Sequence, residues 1–202
     1  MNAFSGRGPI PPRSGGLPLE RRPPVVSNAV LGMLMFVTAE AMLFAGLISA
    51  FVVVRSDSVG AWPPPGQPRL PLEATAVNTL ALLISGGLLY AAHRAYRREP
   101  GAALGPLTLS IALGAFFVLF QGVEWVRLIG EGLTLTSSNH SSFFYLIVGM
   151  HALHAVAALA ALAGVGLALR GGRLRPDRFY GAQVFWYFVV GLWPILYLQV
   201  YL

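Results

Sequence analysis

Long apolar segments separated by short polar connections divide most of the chain. A bilayer core about 30 Å thick needs about 20 apolar residues in helical form. The segments that reach this length are 29–54, 74–92, 104–126, 143–169 and 180–202. We therefore predict an all-α integral membrane protein with five transmembrane helices, in which residues 29–202 form the membrane domain. Residues 1–28 are rich in Pro, Gly and Arg and cannot bury a core, so they are predicted to be a tail.

The overall composition agrees with a membrane protein. Of the 202 residues, 55% are hydrophobic and only 11% are charged, against roughly 25% charged in a soluble domain. Cysteine is absent, which excludes disulfides, thiolate metal sites and iron–sulfur clusters. The net charge of +6 comes from arginines in the connections, where membrane orientation explains it, so we predict no nucleic-acid partner.

The arginines predict the orientation, because cytoplasmic connections retain positive charge. Eleven of the fourteen lie before the first span, between the second and third, or between the fourth and fifth. Only Arg55, Arg69 and Arg127 lie on the other side. The N-terminus is therefore predicted to be cytoplasmic and the C-terminus outside, as an odd number of spans requires.

A carboxylate in the middle of the first span is the first candidate for function. A charged group at the bilayer centre costs roughly 2.5 to 3.5 kcal/mol even on lenient scales, so an intramembrane ionisable residue is a functional candidate by default. The polar intramembrane candidates are Glu40, Asn78, Gln121, Glu124, His151 and His154. A rise of about 1.5 Å per residue puts Glu40 and His154 each about 16 Å into their spans from opposite sides. We therefore predict that Glu40 faces the bundle interior or a lipid cleft and hydrogen-bonds a histidine of the fourth span, directly or through water.

The histidines leave several interpretations open. His93 is predicted at the cytoplasmic edge and His140 in an outer connection, while His151 and His154 share one face of the fourth span. Two histidines on one helical face cannot both be axial ligands of one haem. They could bond to other helices, relay protons, or form a mononuclear metal site with Glu124. Spacing alone does not separate these interpretations.

Four segments, in this order, resemble subunit III of the haem–copper oxidases. They are "LGMLMFVTAEAMLFAGLISAFVVVR", "LEATAVNTLALLISGGLLYAAHRAYRR", "LGAFFVLFQGVEW" and "SSFFYLIVGMHALHAVAALAAL". The positions that match the family pattern are Glu40; Asn78 and Thr79; Gly114, Gln121 and Glu124; and Phe143, Phe144, Gly149, His151 and His154. Five spans, where longer members have seven, match the short bacterial form.

The last span departs from the family. Its members usually carry a histidine and an aspartate at the positions of Tyr187 and Val190, and Pro194 is unusual there. This departure predicts a loss of polar partners in the cytoplasmic half of the fifth span.

The resemblance implies an accessory subunit of a terminal oxidase in the bacterial cytoplasmic membrane. Haem and copper would belong to partner subunits, and the chain would hold no catalytic residue, metal or redox cofactor. It would pack on catalytic subunit I and other oxidase subunits and support proton uptake and stability. It would also bind phospholipid in a cleft between its first two spans and the other three. Open alternatives are subunit III of a quinol oxidase, the accessory protein of nitric oxide reductase and, more distantly, an autonomous transporter or haem cytochrome.

Overall fold

The computed structural model describes residues 27–57 and 72–201 of the chain. Its helices are α1 (Asn28–Ser56), α2 (Leu72–Arg98), α3 (Leu104–Gly130), α4 (Asn139–Arg170) and α5 (Pro176–Leu196). A 3₁₀ turn at Pro100–Ala103 joins α2 to α3, and a π-helix at Tyr197–Tyr201 continues α5. All five helices are long and apolar enough to cross a membrane, and the described residues contain no strand. The prediction of an all-α protein with five spans is confirmed, whereas the tail predicted over residues 1–28 lies outside the described residues except for its last two.

Polar caps extend the helices beyond their apolar segments. At the start of α4, the Ser138 hydroxyl accepts from the Ser141 backbone N–H, and the Ser141 hydroxyl accepts from the Ser138 N–H. This capping box satisfies donors that the first turn would otherwise leave unpaired. It also starts α4 before the apolar run begins. The placement of His140 in an outer connection was therefore wrong, because His140 lies buried in the first turn of α4.

Pro194 changes the geometry of the last helix. Proline lacks the backbone N–H that would bond to the carbonyl of Val190, one turn earlier. The chain remains helical to Leu196 and then continues as the π-helix Tyr197–Tyr201. The buried side chain of Tyr201 thereby comes to lie against α3.

The helices do not divide into the predicted group of two and group of three. Across the described chain, α2 packs most extensively on α3, while α1 packs on α5 and, less extensively, on α4. α5 contacts α1, α2 and α4 and so lies at the centre of the bundle. The predicted pairing of the first two spans, with a cleft separating them from the rest, was therefore wrong. The physical reason is that α2 carries small and polar side chains that bond to α3.

Three hydrogen bonds join α2, α3 and α5 at one level. The hydroxyls of Ser85 and Ser110 each donate to the other residue's backbone carbonyl at 2.8 Å. Trp186 Nε1 donates to Ser85 Oγ at 3.1 Å. The Trp186 ring lies so close to α3 that a Cβ added at Gly114 would come within 2.6 Å of it. Glycine at this position therefore permits the close approach of α3 and α5.

Candidate functional site

Glu40 and His154 meet near the middle of the bundle and join α1 to α4. His154 Nε2 lies 3.1 Å from Glu40 Oε2, with 9% and 18% of the respective side chains exposed. This distance is within ion-pair range, although Glu40 Oε2 has no hydrogen-bond partner among the described residues. The predicted approach of Glu40 to a histidine of the fourth span is confirmed, and the predicted hydrogen bond between them stays a prediction.

The other ring nitrogen of His154 bonds to the backbone of its own helix. Nδ1 lies 2.7 Å from the backbone carbonyl of Met150, and a carbonyl can only accept, so Nδ1 carries a proton. With Nδ1 bonded in this way, Nε2 is the ring nitrogen that faces Glu40 Oε2. The pair therefore puts an imidazole and a carboxyl group side by side between α1 and α4.

Aromatic rings surround the His154 side chain. The His154 ring lies 5.6 Å from Phe44, 6.1 Å from Phe185, 6.3 Å from Phe36 and 6.4 Å from Phe188, measured between centroids. These rings come from α1 and α5 and pack around a histidine of α4, so three helices meet here. An apolar surrounding strengthens the electrostatic attraction within a polar pair and raises the cost of separating its members.

Asn78 and Thr79 of α2 bond to the two helices beside them. Asn78 Nδ2 donates to the backbone carbonyl of Phe117 in α3 at 3.1 Å. Thr79 Oγ1 accepts from Trp193 Nε1 in α5 at 2.8 Å and donates to the carbonyl of Thr75 at 2.7 Å. This pair therefore fixes α2 against α3 and α5, which is a packing role.

Gln121 and Glu124 lie buried on α3, away from the Glu40–His154 pair. Gln121 Nε2 donates to the Tyr201 hydroxyl at 2.9 Å. Gln121 and Glu124 expose only 5% and 8% of their surface, and each retains one carboxylate or amide oxygen without a hydrogen-bond partner among the described residues. Gln121 thus links α3 to the π-helical end of the chain.

His151 has different surroundings from His154, although they share a helical face. Its ring lies 5.0 Å from Trp193 and 6.4 Å from both Phe44 and Phe117. In the parts of the chain that the structure covers, neither ring nitrogen has a hydrogen-bond partner. Nor do any three His, Asp or Glu side chains of those parts group as metal ligands would. The mononuclear site of His151, His154 and Glu124 is therefore not assembled.

The first half of α5 retains polar contacts where a loss was predicted. His93 Nδ1 lies 2.9 Å from Gln183 Oε1, and Gln183 Nε2 donates to the Tyr187 hydroxyl at 2.8 Å. Val190 packs against α2, with one methyl group 3.1 Å from the Cβ position of Gly86. Tyr187 thus supplies a polar partner at the position where histidine is usual, and the predicted loss was wrong there.

Sequence reasoning missed several residues that hold the helices together, chiefly Ser110, Trp186 and Trp193. The available signal was the spacing of Ser110 and Gly114. It puts a hydroxyl group and a position without a side chain one turn apart on the same face of α3. Small residues on one face of a membrane helix favour close packing of a neighbour. That signal does not identify which neighbour.

Comparison with known proteins finds one family over almost the whole chain. The family model described as cytochrome c oxidase subunit III matches residues 19–202. A relative from Synechocystis sp. named cytochrome c oxidase subunit 3 is 32% identical over 178 residues, covering 86% of this chain and 75% of its own length. Proteins of the same name from Gadus morhua and Gallus gallus are 30% and 31% identical over 198 and 188 residues. These alignments cover 94% and 89% of this chain and 75% and 71% of those proteins.

Proposed function

The chain belongs to the cytochrome c oxidase subunit III family, and on that premise we propose how it serves the oxidase. As an accessory subunit of a haem–copper oxidase, it packs against catalytic subunit I and carries no catalytic residue of its own. It supports proton uptake and the durability of the complex during respiration. The comparisons do not favour a quinol oxidase subunit, a nitric oxide reductase protein, a transporter or a haem cytochrome.

The Glu40–His154 contact is the observation that carries this proposal. It puts a carboxyl group and an imidazole side by side near the middle of the bundle, 3.1 Å between Nε2 and Oε2, next to phenylalanines from α1 and α5. The same contact joins α1 to α4. A single pair can therefore contribute both to proton handling and to the attachment of α1.

The expectation that haem and copper belong to partner subunits rests on the chemistry of the donors. His154 has one nitrogen against the Met150 carbonyl and the other against Glu40, so both positions that could ligate a metal are occupied by protein groups. His151 lies one turn away on the same helix and cannot provide an opposing axial ligand. Redox centres are expected on partner chains that present ligands from several helices or carry thiolates.

We place the protein in the bacterial cytoplasmic membrane with its N-terminus in the cytoplasm. The positively charged connections support this orientation, since they fall on one side of the five spans. The end of α2 and the start of α5 would then lie at the cytoplasmic surface.

A deletion of this chain in its host tests the accessory role. We expect the purified oxidase to keep its haem and copper content per catalytic subunit and to lose activity faster during turnover. Re-expression of the chain should restore the lifetime of the activity. Loss of the haem spectrum from an otherwise assembled oxidase, or a haem band in this polypeptide purified alone, would contradict the proposal.

The phospholipid expected from the family has a candidate site at the end of α2. A pocket of about 460 Å³ is lined by Tyr90, His93, Arg94, Arg97 and Arg98. None of these three arginines forms an ion pair with an acidic side chain in the described segments. Arginines at the membrane surface bind phosphate groups well, and basic pockets on this side suit anionic headgroups. We propose that the pocket binds the phosphate of an anionic lipid.

Native mass spectrometry of the purified oxidase with phosphatidylglycerol tests this lipid site. The Arg94→Gln, Arg97→Gln double variant should retain less of the lipid than the wild type. Arg127→Gln is the matched control, because Arg127 lies at the end of α3 and already pairs with Glu131 at 2.9 Å. Competition by inorganic phosphate alone would indicate a site for free phosphate, and equal lipid retention in all variants would contradict the assignment.

A further inference from the structure

One histidine, His93, lies among the arginines that line the basic pocket at the end of α2. Three contacts with α5 hold its ring in place. The ring stacks on Phe179 at 6.2 Å and lies 5.5 Å from Tyr180, measured between centroids. Its Nδ1 lies 2.9 Å from Gln183 Oε1. His93 is therefore an ordered part of the pocket wall, whereas the arginine side chains beside it are exposed.

The Gln183 amide determines which nitrogen of His93 carries a proton. Gln183 Nε2 donates to the Tyr187 hydroxyl at 2.8 Å, which leaves the carbonyl oxygen for His93. A carbonyl can only accept, so His93 Nδ1 is the donor. Within the described segments His93 Nε2 has no hydrogen-bond partner, and it is not sealed from the surface. In the neutral ring this second nitrogen offers a lone pair to a ligand in the pocket.

The pocket thus combines two kinds of recognition. Arg94, Arg97 and Arg98 can donate to phosphate oxygens, whereas the lone pair of His93 needs a donor. A headgroup that satisfies both carries a phosphate and, close to it, a hydroxyl group. The ammonium group of phosphatidylethanolamine could also donate to the lone pair, but its positive charge would then lie beside three guanidinium groups, and like charges repel.

We propose that this pocket selects phosphatidylglycerol among anionic lipids, and that His93 Nε2 accepts a hydrogen bond from a hydroxyl of its headgroup. The inference rests on the lipid site proposed above and adds the residue that distinguishes one anionic lipid from another. Phosphatidylmethanol is the matched probe, because it carries the same single charge and has no headgroup hydroxyl. One additional hydrogen bond should favour phosphatidylglycerol by roughly threefold to tenfold.

Native mass spectrometry of the purified oxidase with equal amounts of the two lipids tests this selectivity. The measurement is made at about pH 8.5, where an ordinary histidine is neutral. We expect the wild type to retain more phosphatidylglycerol than phosphatidylmethanol, and more of either than of phosphatidylcholine. Equal retention of the two anionic lipids would overturn the role of His93 and leave the lipid site intact. Equal retention of all three lipids would overturn the lipid site as well.

Two variants separate the lone pair of His93 from the packing around it. His93→Phe keeps an aromatic ring against α5 but has no lone pair, so the preference for phosphatidylglycerol should disappear while that for anionic lipids remains. Tyr187→Phe is the matched control, because it removes a hydroxyl from the same hydrogen-bonded chain at a position that does not line the pocket. Its preference should match that of the wild type. A preference that survives in His93→Phe, or that is lost equally in Tyr187→Phe, would contradict the proposal.

Discussion

α1 and α5 are both long apolar helices, but they hold opposite positions in the protein. α1 buries only Phe44 and Phe51 among its 29 residues, whereas α5 buries eleven of its 21. α5 is bonded to α2 through Trp186 and Trp193. Near the middle of α1, Glu40 makes a polar contact with His154 of α4.

The difference shows what decides position in a membrane bundle. Lipid tails are as apolar as leucine, so apolarity alone gives a helix no reason to prefer the centre. Small residues that allow close approach, and polar groups that find partners, give it that reason. α5 packs closely over Gly114 and bonds to the Ser85 hydroxyl, while near its middle α1 is attached by aromatic packing and the Glu40–His154 contact.

The largest effect is expected from adding a side chain at Gly114, where α5 packs closely on α3. Gly114→Ala would place a methyl group 2.6 Å from the Trp186 ring, and such overpacking typically costs about 1 to 3 kcal/mol. We expect a lower thermal midpoint of the purified oxidase and a lower yield of the subunit. Gly105→Ala on the same helix is the control, because its Cβ meets nothing within 4 Å. Equal midpoints for the two variants would show that α5 does not depend on this approach.

A smaller effect is expected from removing the polar attachment of α1. Glu40→Leu leaves His154 Nε2 without a partner and should weaken the α1–α4 contact by about 1.5 kcal/mol, near the upper end for interhelical hydrogen bonds in membranes. Glu40→Gln keeps the shape and polarity of the neutral acid and should be milder. The wild-type chain has no cysteine, so a cysteine pair introduced on α1 and α4 can carry spin labels that report the helix separation. If the Glu40→Leu and Glu40→Gln variants have the same separation between α1 and α4 and assemble equally well, the Glu40–His154 pair does not hold α1 in place.

The smallest effect is expected from removing one of the several hydrogen bonds between α2 and α5. Thr79→Val is nearly isosteric and removes the acceptor of Trp193 Nε1, for an expected loss of about 0.6 kcal/mol, the average for such bonds. Thr38→Val on α1 is the matched control, because the Thr38 hydroxyl bonds only within its own helix, to the Leu34 carbonyl at 2.8 Å. The thermal midpoints of the two purified complexes give the comparison. A fall for Thr38→Val as large as that for Thr79→Val would remove the distinction between the helices.

The sequence by itself determined the five spans and the depth of each polar residue within them. A helix has a fixed rise per residue and the bilayer fixes where each span begins. Counting residues was therefore enough to bring Glu40 to the level of the histidines of the fourth span and to predict that it approaches one of them. Family membership was likewise readable, because the matching motifs are local in sequence and occur in order.

Only the tertiary structure decided which helices are neighbours and which way each face points. Hydropathy gave no reason to pair α2 with α3 through Ser85 and Ser110, and the polar cap that draws His140 into α4 lies outside the apolar run. Depth also could not separate His151 from His154, which lie one turn apart. A helix can rotate about its axis without changing depth, so the contacts of a side chain follow from packing against other helices. That packing put His154 against Glu40 and His151 beside a cavity.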